Sequence, residues 1–510
     1  MRIRPLLAVL FSTAVMLAGC GGDGEGGDDG TDAAAAGAID ESASLRVAWY
    51  IPPQGADPHT ECHIGCRPYW LPIFETLYDI NEDANIVPLV AAELPTYSTD
   101  GLELTIPLRE GRTFRDGSPI DAEAVKASLE RGKTLPGSTV APQLEIVESI
   151  EVVDPLTVKL VLSQPRPGYE AELASGAGAL ISPKAIASGR DISTDPGDAG
   201  SGPYTLTSLT PNDSAVYAGD ANYWIEERGR VAELTILGIP DVNTGINALQ
   251  GGNVDAALLQ APPEAQRSQL QNAGYEVYQY QSYNTQAILL RITRGELSNR
   301  LARQAMSYAI DRETINETIY EGACEPTSQV FRDPLPTHVP DYDPFPYDPD
   351  RARQLLAEAG LPDGFSFDIV TVAGNPTSAN NAAVVQQMLA EIGVTTNLVP
   401  MTSADGSAAF NRGEVDARST VVSFRSDAYG TLAHQFLEGG PTHMAVPEDA
   451  ELEELEQQLV SASREDAAGI LEEMGRVVSE SAFVLPICFQ SQFSAGAPSV
   501  VGLDSMGYSR

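Results

Sequence analysis

Val231-Ala232-Glu233-Leu234-Thr235-Ile236-Leu237-Gly238-Ile239, a helical stretch from Asn243 to Gln250 closed by Gly251-Gly252, and Val254-Asp255-Ala256-Ala257-Leu258 together decide the fold. The first run has the apolar, β-branched character of a buried strand. The glycine pair stops a helix, and the last run reads as a second strand. Strand, helix, strand in that order implies a parallel crossover.

The same alternation continues in both directions. Downstream, Ser298 and Asp311 are expected to cap consecutive helices. Asp348 caps another that has Pro349 at its first position, Ala352, Leu355, Leu356 and Ala359 inward, and Gly360 at its exit. Strands are expected at Phe365 to Val372, Val394 to Val399 and Val415 to Phe424, with a helix at Ala382 to Ile392. Late amphipathic helices follow at Glu451 to Ser461 and Asp466 to Glu480. Upstream, Leu45 to Tyr50 and Leu102 to Arg109 alternate like strands, and Pro68 to Tyr78 reads as a helix with Trp70, Phe74 and Leu77 on one face. Asp121 caps Ala122 to Arg131, Ile146 to Val153 and Leu156 to Leu162 are strand-like, and Tyr204 to Leu209 with Ala215 to Ala218 form a hairpin. This is an α/β protein of at least two lobes.

The chain has 510 residues, 43% hydrophobic and 20% charged, which is too long for a single core and predicts two or three domains. A formal net charge of −40 makes nucleic acid and anionic lipid poor partners and describes a solvated acidic surface.

At the N-terminus, Arg2 and Arg4 precede an apolar run from Leu6 to Leu17, and Ala18-Gly19 stands immediately before Cys20. A positive start, an apolar segment too short to span a bilayer and small residues before a cysteine are the anatomy of a lipoprotein export signal. Cys20 is the expected lipid attachment. Gly21 to Ala38, rich in Gly, Asp and Ala, reads as a flexible leash. Everything from about Ser44 onward is then expected outside the cytoplasm, tethered to the cell membrane. Beyond Cys20 there remain Cys62, Cys66, Cys324 and Cys488. Four cysteines allow three pairings; Cys62 with Cys66, and Cys324 with Cys488, are the expected ones.

Several segments, in order, resemble the extracytoplasmic solute-binding proteins of peptide/nickel-type ABC importers, family 5. They are Ala56-Asp57-Pro58-His59, Phe74-Glu75-Thr76-Leu77-Tyr78-Asp79, Leu108 to Pro119 with the helix after it, Gly200-Ser201-Gly202-Pro203-Tyr204, Asn222-Tyr223-Trp224, Arg303 to Arg312 and Ala352 to Gly360. The resemblance spans roughly residues 45 to 490. It implies a type II periplasmic-binding-protein fold: two lobes, an extra inserted domain and a two-crossing hinge near Tyr280 and Phe483. After a signal peptide (1–19) and a linker (20–43), domain I would take 44–75, 202–280 and 484–510, domain II 76–201, and domain III 281–483. Ligand would be enclosed as the lobes close.

In peptide-binding members a segment after a domain III strand carries an Asp that meets the ligand's ammonium group. Its counterpart here is Val422-Ser423-Phe424-Arg425-Ser426-Asp427, with Phe424 where the family has Trp. Asp427 would carry over, and Arg425 would meet a ligand carboxylate or close a structural ion pair. Trp49, Tyr50 and Tyr283 are candidate aromatic walls, and Trp224 is expected in the core. The run His59-Thr60-Glu61-Cys62-His63-Ile64-Gly65-Cys66 could hold a metal chelate as free thiols; an oxidising compartment favours a disulfide there.

The expected function is that of a monomeric binding subunit that captures short peptides and delivers them to ABC permease subunits, with no cofactor, no resident metal and no chemistry of its own. The same fold could instead take a metal chelate, haem or an oligosaccharide. An exported hydrolase has little support: there is no Gly-x-Ser-x-Gly elbow and no His-Glu-x-x-His. The run ending Gly132-Lys133-Thr134 has Ala127 where a phosphate loop needs its first glycine.

Overall fold

The computed structural model describes residues 39–61, 63–81, 85–226, 228–260, 262–423, 428–437, 450–462 and 464–505. Among them, one 11-stranded sheet runs through the molecule. Its strands, numbered in chain order, begin with β1 (Ser44–Trp49), β2 (Tyr204–Thr210), β3 (Ser214–Gly219), β4 (Glu233–Gly238), β5 (Ala256–Gln260) and β6 (Glu276–Leu290). They continue with β7 (Glu325–Pro326), β8 (Ser366–Val372), β9 (Thr395–Met401), β10 (Ala417–Val422) and β11 (Val484–Gly496). Their spatial order is β9-β8-β10-β6-β11-β5-β1-β4-β3-β2, with β7 added to β11.

The crossover read from the sequence is present. β4 and β5 both run parallel to β1, which lies between them, and the helix Val242–Gln250 makes the connection. The second strand starts at Ala256 rather than Val254, because the Asp255 carboxylate is taken up by Arg46, accepting its backbone N–H at 2.8 Å and its guanidinium at 2.8 Å.

The long strands β6 and β11 pair antiparallel and pass from one lobe to the other. Their first shared half, Glu276–Gln281 against Gly496–Ser491, lies beside β5. The second, Thr285–Leu289 against Phe489–Val484, lies between β10 and β7. Where the halves meet, Ser282, Tyr283 and Asn284 of β6 face Gln490 alone, a bulge that breaks the ladder. Val484, Leu485, Ile487 and Cys488 belong to the same core as Ile288, Ile369 and Leu389, so β11 leaves that core at Phe489, later than Phe483. Cys324, just before β7, is joined to Cys488 by a disulfide with a Cα–Cα distance of 5.7 Å.

A separate core holds residues from Leu77 to Leu180 around a four-stranded antiparallel sheet and the helix Ala122–Thr134. Further cores built on Trp49, Tyr69, Phe74 and Tyr217, and on Ala48, Leu259 and Phe493, fill the lobe around β1 and β5. The protein is therefore α/β and of the type II binding-protein kind: two lobes on paired crossing strands, with an extra unit.

Local signals explain most element ends. The carboxylates of Asp121, Asp311 and Asp348 accept from the backbone N–H of Ala124, Thr314 and Arg351, as caps should. At the helix Arg300–Tyr308 the cap is Asn299, not Ser298, whose hydroxyl donates instead to the Gly295 carbonyl at 2.7 Å. The helix expected over Pro68 to Tyr78 lies earlier, at His63–Trp70, because Pro72 disfavours helical geometry at the residue before it and the chain turns there. Trp70, Phe74 and Leu77 are nevertheless all buried.

Candidate ligand-binding site

Strand directions locate the cleft. β1, β4 and β5 run toward the bulge of β6 from one side. β10, β8 and β9, antiparallel to β6 through β10, run toward it from the other. The carboxyl ends of two parallel sets of strands therefore face each other across the crossing, which is where open α/β sheets bind ligands.

Trp49 and Tyr50 stand at the end of β1, with ring centroids 5.1 Å apart. The Trp49 indole N–H donates to the Gly65 carbonyl at 2.8 Å, which fixes its ring against the first turn of the helix His63–Trp70. The Tyr50 side chain lies beside Gln492 and Gln260, and burial raises its pKa above the ordinary phenol value. Gln260 ends β5 and pairs in register with Gln492 of β11, which also pairs with Tyr280 of β6. The Tyr280 hydroxyl meets the Ser494 hydroxyl at 2.6 Å, and the Gln279 amide donates to the Ser491 hydroxyl at 3.0 Å. Gln279 and Ser491 alternate to the opposite face from Gln260, Gln492 and Tyr280. On the face that carries these last three, the floor of the crossing is thus neutral and polar. Tyr283 lies in the bulge beside it, half-buried.

Among the other candidates, Cys20, Cys62, Phe424, Arg425 and Asp427 lie outside the described residues. Cys66 is buried and disulfide-bonded. His59 is buried away from the strand ends: its Nδ1 lies 2.9 Å from the Arg131 guanidinium, and that guanidinium binds both carboxylate oxygens of Asp57, at 3.0 and 2.5 Å. Burial pushes the His59 imidazole down to about 4, with Asp57 opposing and Arg131 reinforcing the shift. Among the described residues no group of three or more His, Cys, Asp or Glu could hold a metal ion.

The motifs quoted from the sequence turn out to stitch the frame. Asp57 and His59 are clamped to Arg131 of the helix after the Leu108 to Pro119 motif. Glu75 accepts from the Tyr223 hydroxyl at 2.8 Å, the Trp224 indole at 2.6 Å and the Arg112 guanidinium at 3.1 Å. Trp224, expected in the core, is instead exposed at 36%, because its indole N–H reaches Glu75 at the rim while its ring packs under Arg112, whose guanidinium lies 4.2 Å from the ring centroid. Gly200 and Gly202 pass so close to Ile73 that a Cβ would lie 2.1 and 2.8 Å from its carbonyl oxygen. Arg303 and Arg312 are buried and donate to main-chain carbonyls, those of Ser481 and Leu297 for the first and of Pro486 and Phe345 for the second. Sequence reading missed Gln260 and Gln492. A polar residue ending a predicted parallel strand would have signalled the first; nothing local marks the second.

Residues 85–440 match the profile of bacterial extracellular solute-binding proteins, family 5 Middle. The chain belongs to this family. A glutathione-binding protein, GsiB, of Salmonella paratyphi A is 33% identical over 337 residues, 66% of this chain and 65% of that relative. The match thus spans slightly less than two thirds of the relative's length. By fold, the chain is similar to HbpA2 from Haemophilus parasuis, with TM-score 0.77 and 22% identity over 89% of this chain and 96% of that one. It is likewise similar to the periplasmic binding protein DppA from Helicobacter pylori in complex with peptide STSA, with TM-score 0.73 and 19% identity over 92% and 96%. Proteins of this family are bacterial extracellular solute-binding proteins, not enzymes. Among the described residues no helix is long and apolar enough to cross a membrane.

Proposed function

We propose that this protein is the lipid-anchored receptor of an ABC importer, that it encloses a short peptide of glutathione size between its lobes, and that it hands the peptide unchanged to the permease. The observation that carries this reading is the neutral polar floor where the strand ends face each other. Peptide groups offer one donor and one acceptor per residue, and carboxamides and hydroxyls such as Gln260, Gln492 and Tyr50 can match both. Similarity to a glutathione-binding protein and to a binding protein holding the peptide STSA supports the same class of ligand. Asp427 would meet the peptide ammonium group, Arg425 or a main-chain donor the carboxylate, and Trp49, Tyr50, Phe424 and Tyr283 would flank the side chains. His59, fastened to Asp57 and Arg131, would hold the frame. Three domains within the limits given above, save that residues 484–488 go with the third, a monomeric state and attachment through Cys20 complete the proposal.

Native mass spectrometry of the mature protein as purified, followed by calorimetric titration with glutathione, trialanine, haem and Fe(III)-EDTA, tests it. Binding of a tripeptide with micromolar or tighter affinity is the expected result. Binding of haem or the chelate with no response to any peptide overturns the choice of ligand, and turnover of a bound molecule overturns the reading as a receptor.

A further inference from the structure

The unit built on residues 77–180 has no part in the cleft floor, yet among the described residues it touches the far lobe. Arg166 follows the strand Thr157–Leu162, and its guanidinium lies 4.3 Å from the ring centroid of Tyr429, which belongs to the core of the lobe around β8 and β10. Both ends of this contact are held. Arg166 is ion-paired to Glu172 at 3.3 Å inside its own unit, and the Tyr429 hydroxyl donates to Glu456 of the helix Ala450–Ser461 at 2.6 Å. The side chain of Arg166 is only 11% exposed and Tyr429 is 6% exposed, so the cation lies on the ring largely away from water. An independent contact lies alongside: a Cβ on Gly101 would sit 3.1 Å from Pro165 and 3.7 Å from the carbonyl of Val460 on that same helix.

We infer that Arg166 and Tyr429 form a latch through which the extra unit holds the two lobes closed, so that this unit sets how long a captured solute is retained. The inference rests on the reading of the protein as a clamp that opens and shuts. The two residues belong to different cores, Arg166 beside the Leu77–Leu180 core and Tyr429 within that of the far lobe, so hinge opening at the bulge of β6 must separate them. Opening would place the guanidinium and the ring in water, where a cation–π contact is weaker. The extra unit would then act on closure without touching the ligand.

The test uses the full mature chain with spin labels at Val153→Cys and Tyr347→Cys, two exposed positions on the two sides of the contact, and reads their distance distribution without and with glutathione. Arg166→Ala is expected to move the ligand-free population to longer distances and to speed release of bound peptide about tenfold, while Arg166→Lys restores part of the short distance. Tyr429→Leu probes the same contact and spares the pair between Arg166 and Glu172. Combining it with Arg166→Ala should open the molecule no further than either change alone. Unchanged distances in both single variants, or fully additive shifts in the double variant, overturn the latch. The ligand-free distances do not depend on which solute binds. A protein that ignores glutathione but opens on Arg166→Ala therefore keeps the latch and loses only the proposed ligand.

Discussion

Glu75 and Trp224, 149 residues apart, meet at 2.6 Å with the indole N–H donating to a buried carboxylate. Tyr223 and Arg112 complete the set, so three separate sequence motifs converge on one side chain. Removing one partner of a buried ion pair leaves the other charge without compensation. Glu75→Ala should therefore lower the unfolding free energy by about 3–4 kcal/mol and change the Trp224 emission, as read by urea titration followed by fluorescence. A loss below about 1 kcal/mol, typical of an exposed pair, would show that the cluster is not the brace described.

Arg312 is buried and spends its donors on the carbonyls of Ser307, Ile310, Phe345 and Pro486 and on the Ser307 hydroxyl. Burial pulls its pKa down to about 10, partly offset by Asp343, which leaves it cationic at neutral pH. Arg312→Met keeps the volume but strands several buried acceptors, each costing about 1–3 kcal/mol when left unmatched. Thermal unfolding of the variant should show a loss of at least about 3 kcal/mol, with wild-type stability contradicting the assignment.

The buried His59 makes stability depend on pH. Its folded pKa, near 4, lies below the unfolded value near 6.5, so the unfolded chain takes up a proton in this window that the folded chain refuses. The contribution is complete above pH 6.5 and is lost as the pH falls toward 4, by as much as about 3 kcal/mol. His59→Gln should flatten the decline between pH 6.5 and 5 in urea midpoints. Parallel wild-type and variant curves would mean that His59 is not the titrating group.

Asp427→Ala should raise the dissociation constant for a tripeptide with a free amino terminus at least about thirtyfold, by loss of a charge-assisted contact worth about 2–3 kcal/mol. N-acetylation of the peptide should cause a comparable loss in the wild type. Equal affinity for the free and acetylated peptides would remove Asp427 from the site.

Cys20→Ala should release the protein from membranes into the soluble fraction of its native host, as measured by fractionation and immunoblotting. Continued membrane attachment would exclude the lipid at that residue.

The sequence by itself determined what depends on near neighbours. Caps at Asp121, Asp311 and Asp348, the crossover after β4 and the hairpin of β2 and β3 arise from hydrogen bonds and periodicities only a few residues long, and such signals survive without knowledge of the rest of the chain. Ordered motifs likewise pointed to the family, though not to their own task, since nothing in the residues around Asp57, Glu75 and Arg303 marks them as braces. Tertiary structure alone decided that they are braces, that Gln260 and Gln492 meet Tyr50, that β6 bulges at Tyr283, and that Arg166 rests on Tyr429. Each of these joins segments far apart in sequence. Their meeting is set by the packing and register of the whole sheet, a free energy summed over many residues that no single stretch carries.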